Sequence, residues 1–224
     1  MRTRRSDPDG GASTFTQLKR RDQFVECAID AIVELGYARA SVAEVARRAG
    51  VSKGVVTYHF AARDDLIHAV IADVLGSMTE FIEPRLLAAD PAQFPERFVA
   101  PYITAWVDYY RAHARELLAL VRIYNSFRDE AGRPSREFDA RADEIVKVAQ
   151  VLEWGQARGG LGKFDTRVMA ALMKAALDDL LTQYADDPEL DLEAYGAELV
   201  ALFERATRPD PEASPALAHC QEER

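Results

Sequence analysis

Residues 53–59 carry side chains that could contact the edges of DNA bases. Lys53 could donate a hydrogen bond to a guanine or a phosphate, Val55 could touch a thymine methyl group, and Thr57 could make either kind of contact. Gly54 adds no bulk beside them. A helix start with short side chains, flanked by groups that can bind phosphate, is what entry into the major groove requires. These residue types therefore indicate binding to double-stranded DNA.

A short helix over residues 42–49 precedes this segment. Ser41 is a good N-cap residue, and Glu44 follows three residues later, which predicts a reciprocal capping box. The apolar residues at i, i+3, i+4 and i+7 predict one buried stripe, formed by Val42, Val45, Ala46 and Ala49. A helix this short needs neighbours to be stable, so it must pack against other elements.

A tight turn connects it to a second helix over residues 53–59. Gly50 suits the left-handed position at a helix C-terminus, and Ser52 predicts the N-cap of the second helix. Val56 and Phe60 share one face and should point inward. The pattern predicts a helix-turn-helix, although spacing alone would also fit an ordinary helical corner.

The run SVAEVARRAGVSKGVVTYHFAARDDLI resembles the N-terminal signature of the TetR family of transcriptional regulators. In that signature an AGVS turn precedes a recognition helix of small residues that ends in Tyr-His-Phe. The resemblance covers about residues 20–68. It implies a three-helix DNA-binding head, joined by a long fourth helix to a divergent C-terminal domain, with the head helices at 16–35, 42–49 and 53–59.

The resemblance also implies roles for individual residues. The expected phosphate contacts are Ser41, Tyr58, His59 and Arg63, and the expected groove-facing residues are Ser52, Lys53, Gly54, Val55 and Thr57. Arg63 stands where the family commonly has Lys, which keeps the charge but changes the donor geometry.

Some of these residues have a structural alternative. His59 could be a satisfied structural histidine, and Tyr58 could pack against helix 16–35. Basic residues nearer the N-terminus could also follow phosphates or enter the minor groove, or they could simply be solvated: Arg2, Arg4, Arg5, Lys19, Arg20 and Arg21.

The net charge of −9 is unevenly distributed along the chain. Residues 1–68 hold 11 Lys and Arg against 9 Asp and Glu, a net +2, whereas residues 69–224 hold 17 against 28, a net −11. A polyanion such as DNA could therefore bind the N-terminal region, whereas the remainder of the chain would repel it.

The fold is predicted to be all-α, with about nine helices, because apolar residues recur at helical spacing and strand patterns are sparse. Gly36 should end the first helix, and Pro84 should kink or end a long helix over about 63–83. Further helices are predicted over about 95–112, 115–128 and 135–157. The predicted organisation is a disordered basic arm over 1–14, a helix-turn-helix domain over 15–62, an effector-binding and dimerisation domain over 63–208, and a disordered tail over 209–224. Cys27 and Cys220 suggest neither a disulfide nor a metal site, and with no targeting or membrane segment apparent we expect a cytoplasmic protein.

The last two predicted helices, 166–185 and 191–206, are expected to form a homodimer interface, as they do in the resembling family. The predicted interface residues are Leu172, Ala176, Tyr195, Leu199 and Leu202. Alternatively, both helices could complete a single core. In a two-fold dimer, recognition helices about 34 Å apart would read a palindromic operator.

The helices between 95 and 157 are rich in aromatic residues and could line a pocket for a small-molecule effector. The candidates are Trp106, Tyr110, Arg122, Tyr124, Asn125, Gln150 and Trp154. Aromatic residues at helical spacing also form ordinary cores.

The sequence predicts a DNA-binding transcriptional regulator, a repressor released by an effector, with no cofactor, metal site or membrane partner. It contains no glycine-rich phosphate loop, HExxH motif or nucleophile elbow, and its four histidines are scattered, so we expect no enzyme activity. A helical interaction protein whose head has lost DNA binding is the other alternative.

Overall fold

A computed structural model describes residues 10–126 and 141–209, with side chains from residue 17 onward except at 141. Within these ranges the fold is all-α, as predicted, and contains nine α-helices without a strand. They are α1 (Gly10–Leu35), α2 (Val42–Arg48), α3 (Lys53–His59), α4 (Arg63–Ala88), α5 (Val99–Ala112), α6 (Ala114–Ser126), α7 (Arg141–Ala157), α8 (Thr166–Asp186) and α9 (Leu192–Thr207). Single 3-10 turns occupy Tyr37–Arg39 and Pro95–Arg97.

Several predictions concern residues outside these ranges. They are the roles of Arg2, Arg4 and Arg5, the tails over 1–9 and 210–224, and the predicted helical residues 127, 128 and 135–140.

The first helix begins earlier than the sequence suggested. We expected a helix from residue 16 after an unstructured arm, but α1 starts at Gly10, so the prediction of disorder is wrong for residues 10–14. Neither glycine nor proline occurs between residues 12 and 35, and each residue added to an existing helix contributes another hydrogen bond. The predicted stop at Gly36 is confirmed, with φ at +84° and its N–H bonded to the Ile32 carbonyl at 3.0 Å.

Helix α4 passes through Pro84, where we expected a kink or an end. Proline removes one backbone hydrogen bond, but the helix continues for another turn, and Arg85 donates to the Phe81 carbonyl at 2.7 Å. The stop is instead Asp90, whose φ of +48° leaves the helical region just before another proline. Aspartate tolerates this left-handed conformation better than most residues.

The chain divides into two compact units. The first comprises residues 1–77 and 113–135, and the second comprises residues 78–112 and 136–224. In the first unit, α1 packs against α2 and α6, and α2 packs against α3. Arg115 of α6 forms ion pairs with Glu26 and, at 2.6 Å, with Asp30 of α1.

The second unit is built around α5, which packs against α8 and α9. Gly196 of α9 approaches α5 so closely that an added Cβ would lie 2.9 Å from Val107 Cγ2. Along the described residues, no helix is long and apolar enough to cross a membrane. The boundary at 62/63 between DNA-binding and effector-binding segments is a functional division, and it stays a prediction.

Candidate nucleic-acid interface

The turn between α2 and α3 has the geometry that the sequence predicted. Gly50 has φ at +67°, and its N–H bonds to the Arg47 carbonyl at 3.3 Å. The next N–H, that of Val51, reaches back to the Ala46 carbonyl at 3.0 Å. These bonds satisfy carbonyls at the end of α2 and fix where α3 starts.

Only half of the predicted capping box forms at the start of α2. The Ser41 hydroxyl oxygen accepts from the Glu44 N–H at 3.2 Å, as expected. The Ser41 N–H, however, donates to the Arg39 carbonyl, while the Glu44 carboxylate binds Arg47 and Arg48 at 2.7 and 2.8 Å. Two nearby guanidinium groups are stronger donors than one backbone N–H, which explains the difference.

This ion-pair network fixes α2. Hydrogen bonds from Arg47 and Arg48 lower the pKa of Glu44 to about 2. Arg48 also binds Glu34 of α1 at 2.7 Å. The basic pair at the end of α2 is therefore directed toward carboxylates of the protein.

Helix α3 has one buried face and one open face. Val56 and Phe60 are fully buried, as predicted. The residues predicted to face the groove are all exposed: Ser52, Lys53, Gly54, Val55 and Thr57. The Thr57 hydroxyl bonds to carbonyls of α3 at 3.1 and 3.2 Å. An extended surface of mixed polar and apolar groups thus lies along one side of α3.

Ser52 occupies the N-cap position of α3 but makes no side-chain cap bond there. Its predicted N-cap position is therefore confirmed, although Lys53–His59 forms without a side-chain cap bond. Its exposed hydroxyl is left at the start of the helix, beside the N–H groups that a helix N-terminus directs outward.

The two aromatic residues at the end of α3 have different environments. Tyr58 is 77% exposed and is therefore not buried against α1. His59 is half-buried, and its ring meets the edge of Phe24 of α1 at 5.4 Å between centroids. His59 thus has the structural packing that was its alternative interpretation, and its phosphate contact stays a prediction.

Two arginines near the end of α3 bind groups of the protein itself. Arg21 of α1 donates to the His59 carbonyl at 3.2 Å, and its guanidinium lies 4.3 Å from the Phe60 ring centroid. Arg63 donates to the carbonyls of Ala40 and Tyr37 at 2.9 and 2.5 Å. The guanidinium of Arg63 also lies 4.1 Å from the Tyr37 ring centroid.

The phosphate contact expected at Arg63 would compete with these contacts inside the protein, and it stays a prediction. The Arg63 guanidinium is half-enclosed and engaged with the 3-10 turn Tyr37–Arg39 that precedes α2. No sequence pattern signals this role, because the acceptors are backbone carbonyls more than 20 residues away.

A groove of about 610 Å³ borders the end of α3, α1 and the start of α4. Its polar lining includes Arg21, Thr57, Tyr58, His59, Asp65 and His68. On the N-terminal part of α1, Lys19 and Arg20 are exposed. No group of three or more potential metal ligands occurs among the residues described.

The residues predicted to line an effector pocket are divided between the two units. Arg122, Tyr124 and Asn125 lie on α6 in the first unit, where Arg122 donates to the Ile32 and Val33 carbonyls at the end of α1. In the second unit, Trp106 and Tyr110 are buried, while Gln150 and Trp154 are exposed on α7. As one pocket, this set stays a prediction.

A group of charged residues beside Trp106 and Tyr110 was not predicted from the sequence. Burial raises the pKa of Glu144, and burial with the charges of Asp178 and Glu144 raises the pKa of Tyr110. Lys174 belongs to the same group and is itself buried. A signal that could have found it is the spacing of Lys174 and Asp178, one turn apart on the apolar helix α8.

The predicted dimer residues lie on α8 and α9. Leu172 and Leu202 are 54% and 50% exposed, Ala176 and Tyr195 are half-buried, and Leu199 is nearly buried. Tyr195, Leu199 and Leu202 also line an apolar groove of about 600 Å³ on α9.

Comparison with known proteins agrees with the resemblance noted from the sequence. Residues 25–70 match the family described as bacterial regulatory proteins, tetR family. The HTH-type transcriptional regulator BetI of Klebsiella pneumoniae (strain 342) is 33% identical over 81 residues, which are 36% of this chain and 42% of that protein. BetI of Escherichia coli O139:H28 is 32% identical over 84 residues, 38% of this chain and 43% of that protein. The match thus spans less than half the length of these relatives.

Solved structures resemble a larger part of the chain. A TetR-family regulator from Rhodococcus sp. aligns with a TM-score of 0.69 at 21% identity, covering 84% of this chain and 98% of that one. The fatty acid degradation regulator FadR of Bacillus halodurans aligns with a TM-score of 0.68 at 19% identity, covering 90% of this chain and 97% of that one. SmeT in its triclosan complex aligns with a TM-score of 0.66 at 19% identity, covering 88% of this chain and 96% of that one. At these identities the likeness concerns the fold, while the matched N-terminal segment carries the family signature. Over residues 25–70 the chain is therefore similar to the tetR family of bacterial regulatory proteins, and it shares the fold of these solved structures.

Proposed function

We propose that this protein is a transcriptional repressor that binds operator DNA in the cytoplasm through α3. The observation that carries the proposal is the two-sided character of that helix. Val56 and Phe60 anchor it in the core, while its opposite side presents Lys53, Val55 and Tyr58 to solvent. A helix with this exposed face can enter a major groove.

The predicted contacts divide into two groups. We propose that Ser52, Lys53, Gly54, Val55 and Thr57 contact bases, whereas Ser41, Tyr58 and His59 contact phosphates. The exposed hydroxyl of Tyr58 and the half-exposed hydroxyl of Ser41 can both donate outward. Arg63 is not included among these phosphate contacts, because its guanidinium already has acceptors within the protein.

Binding of the full chain to fluorescent duplexes tests the DNA-binding proposal. Sequencing the DNA that the purified protein retains would supply the operator. On that duplex, K53A combined with Y58A should weaken binding at least tenfold, since the variant can make neither the base contact nor the phosphate contact. The matched control is K147A, which removes an exposed lysine from α7. Unchanged binding by the double variant, or no binding to any duplex, would support a helical interaction protein instead.

We also propose that the protein acts as a homodimer on a palindromic operator. Two large apolar side chains, Leu172 and Leu202, are half-exposed on α8 and α9, and the groove on α9 has an apolar lining. A second copy would cover such a face, as two-fold interfaces do. Sedimentation of the full chain should show a dimer that L202E converts to monomer, whereas L87E, at another exposed leucine on α4, should not.

Release by a small-molecule effector completes the proposal. SmeT, a similar structure, was solved as a complex with triclosan. In this chain the enclosed aromatic residues Trp106 and Tyr110 of α5 would contact such a molecule. An effector must bind the DNA-free state more tightly than the DNA-bound state. Its addition should therefore lower operator affinity, and a ligand that leaves operator affinity unchanged is not an effector.

A further inference from the structure

A cluster of charged and aromatic side chains occupies the interior of the second unit. Helix α5 contributes Tyr102, Trp106 and Tyr110, which are spaced four residues apart and lie on one face of the helix. Helix α7 contributes Glu144, and α8 contributes Lys174 and Asp178. All six residues belong to the same compact unit.

The ammonium group of Lys174 is surrounded as a bound organic cation would be. It pairs with the Asp178 carboxylate and lies 3.9 Å from the second carboxylate, that of Glu144. Its Nζ is also 5.0 Å from the ring centroid of Trp106, within the range of a cation–π interaction. Tyr102 donates to the other oxygen of Glu144 at 2.7 Å and so fixes that carboxylate.

The cluster contains polar groups that a purely structural core would not need. The carboxylates of Glu144 and Asp178 lie beside the Lys174 ammonium. The Tyr110 hydroxyl, fully buried, has no hydrogen-bond partner among the described residues. Buried charges and unpaired polar atoms are costly, and packed apolar residues would stabilise a purely structural core better. An enclosed group of this kind therefore points to a binding function.

The cluster can also be reached from solvent. The side chains of Asp178 and Glu144 are 35% and 23% exposed, whereas that of Lys174 is only 10% exposed. The carboxylates thus form an accessible edge, with the ammonium lying deeper beside the indole ring. Lysine has a flexible four-carbon stem that can move its charge toward water.

We propose that this cluster is the effector site, and that its ligand is an organic ammonium cation whose nitrogen replaces the Lys174 ammonium between Glu144, Asp178 and Trp106. The Tyr110 hydroxyl supplies an additional hydrogen bond to the ligand or to a water molecule beside it. Lys174 acts as an internal substitute that balances the carboxylates when the site is empty. The effector role rests on the proposed function, whereas binding of the cation can be tested without DNA.

The test uses three probes that share one apolar body. Calorimetric titration of the full chain with 2-phenylethylammonium, 2-phenylethanol and 3-phenylpropionate compares a cation, a neutral alcohol and an anion. We expect the cation to bind at least tenfold more tightly than the other two. Equal binding of the cation and the alcohol would overturn the proposal.

Variants distinguish a binding site from a structural ion pair. K174M removes the competing ammonium but keeps a side chain of similar length, so cation binding should become at least tenfold tighter. E144Q and D178N should each weaken it about tenfold, while D179N, at the exposed neighbouring aspartate, should have little effect. If K174M does not fold, the proposal is tested by cation binding alone: E144Q and D178N should bind the cation more weakly than D179N does. No cation binding by the wild-type chain and K174M, or equal effects of D178N and D179N, would refute the site.

The two proposals fail in different ways. Cation binding that leaves operator affinity unchanged would establish the ammonium site and refute its effector role. Operator binding with no cation binding would retain the DNA-binding proposal and overturn this inference.

Discussion

Arg63 offers a direct test of how the start of α4, which follows α3 directly, is held against the turn before α2. Replacing it with methionine removes two charged hydrogen bonds, to Tyr37 and Ala40, and the stacking on the Tyr37 ring. Hydrogen bonds from a charged group contribute about 1.5–3 kcal/mol each, and we take a low value because the side chain is only half-buried. The expected loss in unfolding free energy is about 2 kcal/mol, a large part of a domain's usual stability.

The salt dependence of DNA binding separates this role from direct binding to phosphate. Removing one cation that binds phosphate reduces the slope of log K against log salt by about 0.9. If Arg63 holds the start of α4 against the turn before α2, and so positions α3 indirectly, R63M should weaken binding while the slope changes by less than about 0.3, a third of the effect of one phosphate-binding cation. Anisotropy titrations between about 50 and 200 mM salt would measure the slope, and urea unfolding would measure stability.

K53M is the matched control for this experiment. Lys53 is exposed at the start of α3, so its replacement should reduce operator affinity while leaving the free energy of unfolding nearly unchanged. The reasoning about Arg63 would be refuted if R63M kept full stability and lowered the slope by about 0.9, because the guanidinium would then bind phosphate.

Three further changes test the helix-turn-helix and the second unit. G50A places a side chain at φ +67° and should lower stability by about 1–2 kcal/mol in thermal unfolding; an unchanged Tm would mean that the turn adopts another conformation. The carboxylate of Glu44, with its pKa lowered to about 2 from 4.5, contributes stability above pH 4.5 that is lost as the pH falls toward 2. The free energy of unfolding of E44Q should therefore depend less on pH over that range. A pH dependence equal to that of the wild-type chain would contradict the ion-pair network. G196A puts a Cβ 2.9 Å from the stiff side chain of Val107 and should cost about 1–3 kcal/mol; V107A should relieve part of this cost, and additive losses would show that the two residues do not clash.

The helix-turn-helix could be predicted closely because its signals are local. Residues 53–59 form α3 with the predicted bounds, and Gly50 has the predicted left-handed conformation. A turn glycine and the spacing of buried residues act within a few positions of one another, so they can be interpreted without knowledge of the tertiary structure. Of the two outcomes that the same local reasoning allowed at Pro84, an end of the helix is excluded, because α4 continues to Ala88.

The buried cluster of the second unit shows what local patterns could not predict. Trp106 and Tyr110 were recognised from their spacing on α5, but their charged neighbours come from other helices. Tyr102 and Glu144 are 42 positions apart, and Lys174 is 30 residues further along. Periodicity indicates that a face is buried, but it does not identify which face will oppose it.

The arginines of the head show why charge counts alone could not identify the DNA contacts. The region that carries the net charge of +2 contains several arginines directed toward acceptors of the protein itself: Arg21, Arg39, Arg47, Arg48 and Arg63. A guanidinium binds whichever carboxylate or carbonyl lies within reach, and those acceptors become known only once the helices have packed. Lys53 differs because it is exposed at the first position of α3. The electrostatic contribution to DNA binding should therefore depend on the few cations that α3 and the start of α1 direct outward, rather than on the total for the region.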